Sequence, residues 1–152
     1  MYILGISCFY HDSAAVLLHD GQLLAACEEE RFTRIKFDPS YPEQAIKFCL
    51  DKAGITSKEL DYVVFYEKPL PKFERILLSS LATVPHSAAL FRDAMATWFS
   101  DKLWLKSTLM RNLDLPGERI LFVDHHAAHA ASAFFCAPYE DAAILTVDGV
   151  GE

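Results

Sequence analysis

Nowhere does this 152-residue chain string together the ~20 apolar residues that a membrane-spanning helix requires. Its apolar start, Ile3 to Phe9, carries no basic leader and runs straight into His11-Asp12, so the pattern of a secretory signal is missing too. Both absences predict a cytoplasmic protein with no membrane partner. Cationic surface is also scarce. With 14 Lys and Arg against 21 Asp and Glu the net charge is −7, and no Lys/Arg stripe forms, which removes the phosphate contacts on which nucleic-acid binders depend. Cys8, Cys27, Cys49 and Cys136 lie far apart with no CxxC spacing, each in an apolar stretch. That suits reduced core thiols better than a zinc site or disulfides. Neither an internal repeat nor a low-complexity linker is present.

Apolar residues, by contrast, make up 52% of the chain, rich enough to predict apolar surface meant for a neighbour. Three short runs, Ile3 to Phe9, Ala14 to Leu18 and Leu23 to Cys27, read as strands of an antiparallel meander, the last two joined by a hairpin turn at Asp20-Gly21. A charged, Pro-punctuated loop from Glu28 to Pro42 follows. Pro42 to Leu50 then shows helical spacing that closes near Gly54, and Tyr62 to Tyr66 reads as a returning strand. From Phe73 to about Asn112 the pattern predicts mostly helix, broken near Val84-Pro85-His86, with an amphipathic stretch from Ala88 to Arg111. Ile120 to Val123 is a further strand, Asp124 an N-cap, Ala127 to Phe135 a small-residue helix, and Ala142 to Val147 a final strand. Meander, helix, strand, helix, strand, helix, strand is the order of a ribonuclease-H-like lobe of the actin-like ATPase superfamily, an α/β fold with a mixed sheet and flanking helices. The chain ends on Asp148-Gly149-Val150-Gly151-Glu152, a Gly-rich acidic turn just opened by an apolar strand. We therefore expect residues 1–152 to be one truncated lobe of a larger protein, holding half a site.

Four stretches could carry chemistry. In Asp124-His125-His126-Ala127-Ala128-His129, a helix starting at Asp124 places His125 and His129 one turn apart, close enough to chelate one divalent ion. Histidines there can also merely cap or pack, but the alanines between 127 and 133 indicate close packing, a poor place for idle imidazoles. A cation near a helix N-terminus opposes the macrodipole, so a carboxylate ligand is needed; Asp148 is the in-chain candidate, and a residue beyond Glu152 could equally supply it. Two imidazoles and one carboxylate with open positions suit Fe(II), with Zn2+ and Mn2+ also open. Asp148, Gly149 and Gly151 form the second stretch, able to approach a phosphate, although a simple tight turn is commoner. Third is the polar turn Tyr10-His11-Asp12-Ser13, where His11 could act as acid or base or sit in an ordinary Asx turn. Fourth is Glu28 to Asp38. Such charge runs are usually solvated, yet Arg31, Arg34 and Lys36 form the densest basic cluster in an acidic chain and would meet an anionic substrate first.

These stretches together resemble the carbamoyltransferases of the nodulation protein U family. The resemblance rests on Gly5-Ile6-Ser7 through His11-Asp12-Ser13-Ala14-Ala15, Asp20-Gly21, Glu28 to Arg34 with Lys36, Phe65 to Pro69, Asp124 to Phe134, and Asp148-Gly149-Val150-Gly151. It implies an actin-like fold and an enzyme that makes a carbamoyl-adenylate from ATP and carbamoyl phosphate, then moves the carbamoyl group to a hydroxyl of a sugar or natural product. By the same resemblance His125 and His129 match metal ligands, His11 and Lys36 match polar residues lining the transfer site, and Asp148-Gly149 matches the phosphate-side loop. By the resemblance, a third, carboxylate metal ligand, a second lobe and a YrdC-like domain would lie beyond Glu152, so this chain alone is expected to be inactive. An actin-like sugar kinase or ATPase lobe, and a noncatalytic nucleotide-binding module, are the alternatives. Neither would need paired histidines one turn apart.

Overall fold

Alternation along the first strands decides which side of the sheet is sealed. In the computed structural model, which describes residues 1–84, 91–92 and 102–148, β1 spans Tyr2–Ser7, β2 Ala14–His19 and β3 Gln22–Glu28. Leu4 and Ile6 of β1, and Ala15 and Leu17 of β2, are buried, whereas Gly5, Ser7, Ala14 and Val16 are half-buried on the other face. The strands pair antiparallel, Ser7 opposite Ala14 and Ala14 opposite Glu28, as the meander pattern requires. The Asp20-Gly21 turn has both residues at positive φ, the twist that a two-residue hairpin favours.

Two parallel strands complete a five-stranded mixed sheet of order β3-β2-β1-β4-β5. β4 spans Tyr62–Phe65 and lies beside β1, while β5 spans Ile120–Phe122 and lies beside β4. Helices connect and flank these strands. The first, α1 (Glu30–Thr33), is a single turn inside the stretch expected to be loop. α2 (Glu43–Ala53) ends at Gly54, which supplies the left-handed cap. α3 (Pro69–Ala82) starts four residues before Phe73, where the sequence reading put it, because Pro69 and Pro71 sit in its first turn, where a missing N–H costs nothing. α4 spans Leu105–Leu113 and α5 spans His125–Phe134. The break near Pro85-His86 and the stretch that carries Trp98 and Phe99 lie outside the described residues.

The core lies on the sheet face that carries Leu4, Ile6, Leu17, Val63, Phe65 and Ile120. α2 closes it with Ala45, Ile46 and Cys49, and α4 with Leu105, Leu109 and Leu113. On the opposite face, residues of β1, β2 and β4 and the alanines of α5 line an apolar recess of about 500 Å3. Gly5 permits that close approach of strands, since a Cβ there would stand 2.7 Å from a methyl of Val16, its partner in register.

One expected strand does not form. Residues 142–148 belong to no strand of the sheet, and Leu145 and Val147 are 87% and 85% exposed. Their apolar, β-branched composition favours a strand, but a strand needs a ladder partner, and among the described residues none takes this segment. No described helix is long and apolar enough to cross a membrane.

Candidate metal centre

The helix spacing delivers its histidines to one point. Asp124 takes the N-cap position of α5 with extended backbone, so that helical geometry begins at His125 and carries His129 one turn on, over the same face. Nε2 of His129 lies 3.1 Å from Nε2 of His125, and Oδ2 of Asp148 lies 2.8 Å from that same His125 nitrogen. The three ligand atoms all fall within 4.8 Å of one another. His126 is not part of the group. Asp124 does not cap the helix with its side chain, because Oδ1 is taken by the Lys68 ammonium at 2.7 Å. Beneath the cluster, the ring of Tyr66 stands 5.5 Å from that of His125, and burial pushes the Tyr66 phenol well above its ordinary pKa.

The chemistry of this donor set fits a divalent cation. A ring nitrogen offers one proton or one lone pair, so the single Nε2 of His125 cannot donate to the Asp148 carboxylate and also present a lone pair to His129. A cation at the point of convergence satisfies all three atoms together. Donors about 2.1 Å from a shared ion and at right angles to each other stand about 3 Å apart, the spacing of His125 from both His129 and Asp148.

His11 and Lys36 belong to a different part of the structure, a pair of loops laced together by their backbones. The Phe9 amide donates to Pro39 O (2.8 Å), the Ser13 amide to Asp38 O (2.9 Å) and the Glu29 amide to Ser13 O (2.8 Å). His11 is exposed and its Nδ1 contacts Asp12 Oδ2 at 2.7 Å. Since a carboxylate only accepts, Nδ1 carries a proton, so that in the neutral imidazole the lone pair lies on Nε2. Lys36 is exposed as well, its ammonium 4.6 Å from the centre of the Phe37 ring. Gly149 and Gly151 lie outside the described residues.

Sequence reasoning missed three buried carboxylates, Glu29, Asp38 and Glu67, the last paired with the Lys72 ammonium. Glu29, within the run read as a solvated charged loop, is 2% exposed; its Oε1 accepts from the Gln44 amide (3.1 Å) and its Oε2 from the Ala45 amide (2.7 Å) at the start of α2. This satisfies two amides that a helix start leaves open, from a residue far along the chain. Asp38 is 3% exposed and receives the Thr33 hydroxyl and the Ser40 amide. Those bonds, Ser40 first and Thr33 next, hold the Asp38 carboxyl below its ordinary pKa. No local pattern marks Glu29, whose partners lie 15 and 16 residues away, whereas the Asp38 bond to the Ser40 amide is an Asx turn within Asp38-Pro39-Ser40.

Residues 2–152 match the carbamoyltransferase N-terminus family. The chain belongs to that family. It is 52% identical over 99% of its length to an uncharacterized protein of Synechocystis, sll1178, and covers 26% of that protein. It is 37% identical over 95% of its length to nodulation protein NolNO of Sinorhizobium fredii, and covers 20% of it. The chain thus spans between a fifth and about a quarter of these two relatives.

Proposed function

We propose that this chain is the metal-bearing N-terminal lobe of a ribonuclease-H-like, actin-like carbamoyltransferase domain, with a second lobe and a YrdC-like domain completing the protein. The donor is carbamoyl-adenylate, formed from ATP and carbamoyl phosphate, and the acceptor is a hydroxyl of a sugar or natural product. The observation that carries this reading is the convergence of His125, His129 and Asp148, their ligand atoms all within 4.8 Å of one another, in a chain of this family. Those three residues would hold the ion, and Fe(II) suits their donor set. Bound there, a divalent cation supplies positive charge toward a phosphate leaving group.

The chain's other residues supply proton handling and charge. The acceptor oxygen attacks the carbamoyl carbon while its proton passes to Nε2 of His11, whose Nδ1–H is fixed by Asp12. As the new C–O ester bond forms, the carbon–oxygen bond to the adenylate phosphate breaks and AMP leaves with the electron pair. The Lys36 ammonium neutralises the negative charge that grows on the departing side. Asp148, with Gly149 and Gly151 after it, would face the phosphates.

In the full-length protein, His11→Ala should lower kcat for transfer from preformed carbamoyl-adenylate by roughly 100-fold to 10,000-fold. An unchanged rate removes His11 from the proton step. Metal analysis of the purified protein separates this reading from a kinase or ATPase lobe, which has no need of the His125–His129 pair.

A further inference from the structure

Six described residues other than glycine adopt left-handed backbone, and four of them, Phe9, Asp12, Arg34 and Phe37, fall in the two laced loops that carry His11 and Lys36. Such conformations persist only where surrounding bonds over-determine them, and they concentrate at working sites. The bonds that do so here converge on Asp38. Its Oδ2 accepts from the Thr33 hydroxyl at 2.7 Å and its Oδ1 from the Ser40 amide at 2.9 Å, pinning both ends of the turn that bears Lys36. Its own carbonyl accepts from the Ser13 amide, and the next carbonyl, of Pro39, accepts from the Phe9 amide, so both ends of the His11 turn hang from the same dipeptide. Glu30 adds a further tie, its carboxylate accepting from the Phe37 amide at 3.1 Å.

We propose that Asp38 is a positioning residue that sets the Lys36 loop and the His11 turn as one rigid unit, presenting ammonium and imidazole to a single anionic substrate. This inference rests on the transferase reading for the identity of that substrate, and on the hydrogen bonds alone for the coupling. Asp38 touches no reacting atom in this scheme. It acts through Thr33 and Ser40 on one loop and through Ser13 on the other, where the adjoining Pro39 carbonyl takes the Phe9 amide.

The test uses Thr33→Val, which removes the hydroxyl while keeping the shape, Thr33→Ser, which restores it, and Asp38→Ala. By amide hydrogen exchange, Thr33→Val and Asp38→Ala should speed exchange at Phe9, Ser13 and Phe37 together by about 10-fold or more. Exchange within α5 should stay unchanged, and Thr33→Ser should behave as the parent. In full-length protein, Thr33→Val should lower kcat for carbamoyl transfer about 10-fold with KM within about 2-fold, and Thr33→Ser should recover it. Faster exchange confined to the Lys36 loop, with Phe9 and Ser13 still protected, overturns the coupling. Loosening of both loops with kcat unaltered overturns the positioning role. If Asp38→Ala fails to fold, the Thr33 pair decides. A full-length parent protein that transfers no carbamoyl group defeats the transferase reading, and the exchange comparison then decides the coupling by itself.

Discussion

The helix that carries His125 and His129 and the loops that carry His11 and Lys36 reach order by opposite routes. In α5 a 3.6-residue period sets two imidazoles on one face, where their Nε2 atoms lie 3.1 Å apart. In the loops nothing local suffices. Left-handed residues at both turns are held by bonds from Asp38 and Pro39 to Ser13 and Phe9, and the adjoining α2 start is held by Glu29. Geometry written in a helical period should survive changes elsewhere and fail at once when the period is altered. Geometry built from distant contacts should loosen by degrees.

The largest expected effect follows directly. Inserting one alanine between Ala127 and Ala128 turns His129 by about 100° around α5 relative to His125, although both histidines remain. Titration with Fe(II) or Zn2+ should then show affinity reduced as severely as by His129→Ala, beyond the roughly 10–100-fold loss typical of removing an outer-shell partner. The parent protein should bind one ion, and an insertion that binds normally would show that the helical period does not set the pair.

A smaller, energetic effect is expected on the tertiary side. Glu29→Ala leaves two amides of α2 without their carboxylate and should destabilise the fold by about 1–3 kcal/mol in urea unfolding. Metal affinity at α5 should be untouched. Acid probes the same side. The folded carboxyl of Asp38 titrates below its ordinary value of 3.8, so it adds stability above that pH and loses it as the pH falls through the lower folded value. Asp38→Asn should therefore flatten the acid limb of a stability-against-pH curve, and an unaltered limb would show that the Asp38 bonds contribute little.

The smallest effect concerns rates of modification. Burial, aided by the Glu67 charge, pushes the Cys8 thiol up to about 12, and burial beside Cys27 pushes Cys49 to about 11, whereas Cys136 is exposed. Because the thiolate is the nucleophile, iodoacetamide at pH 8 should label Cys136 well before Cys8 and Cys49. The stability held by Cys8 is fully present below its ordinary value of 9.0 and is lost as pH rises from there toward about 12. Equal labelling of Cys8 and Cys136 would mean that the core opens readily.

Much of the fold was legible for the reason that α5 was. The alternation of Leu4 and Ile6, the Asp20-Gly21 hairpin and the Gly54 cap are local signals, and each falls where the sequence reading put it. Misreadings arose where a partner had to be known. The helix expected from Phe73 already opens at Pro69, and residues 142–147 read as a strand although no neighbour among the described residues completes the ladder. The His125–His129 pair was legible from spacing. Its meeting with Asp148 came from placing a carboxylate where a cation would need one, and the geometry brings that oxygen to 2.8 Å. Glu29 and Asp38 were hidden because buried carboxylates look like any others in a charged stretch until the amides that they serve are placed in space.

The Glu29 carboxylate also limits where an incoming nucleotide can be gripped. Helix beginnings offer phosphates a ready berth of converging amides. At the eleven-residue α2 that berth is filled by the protein's own side chain, sealed from solvent. In the proposed transfer a phosphoryl group would not be held at the start of α2, and its recognition would fall to groups elsewhere in the protein.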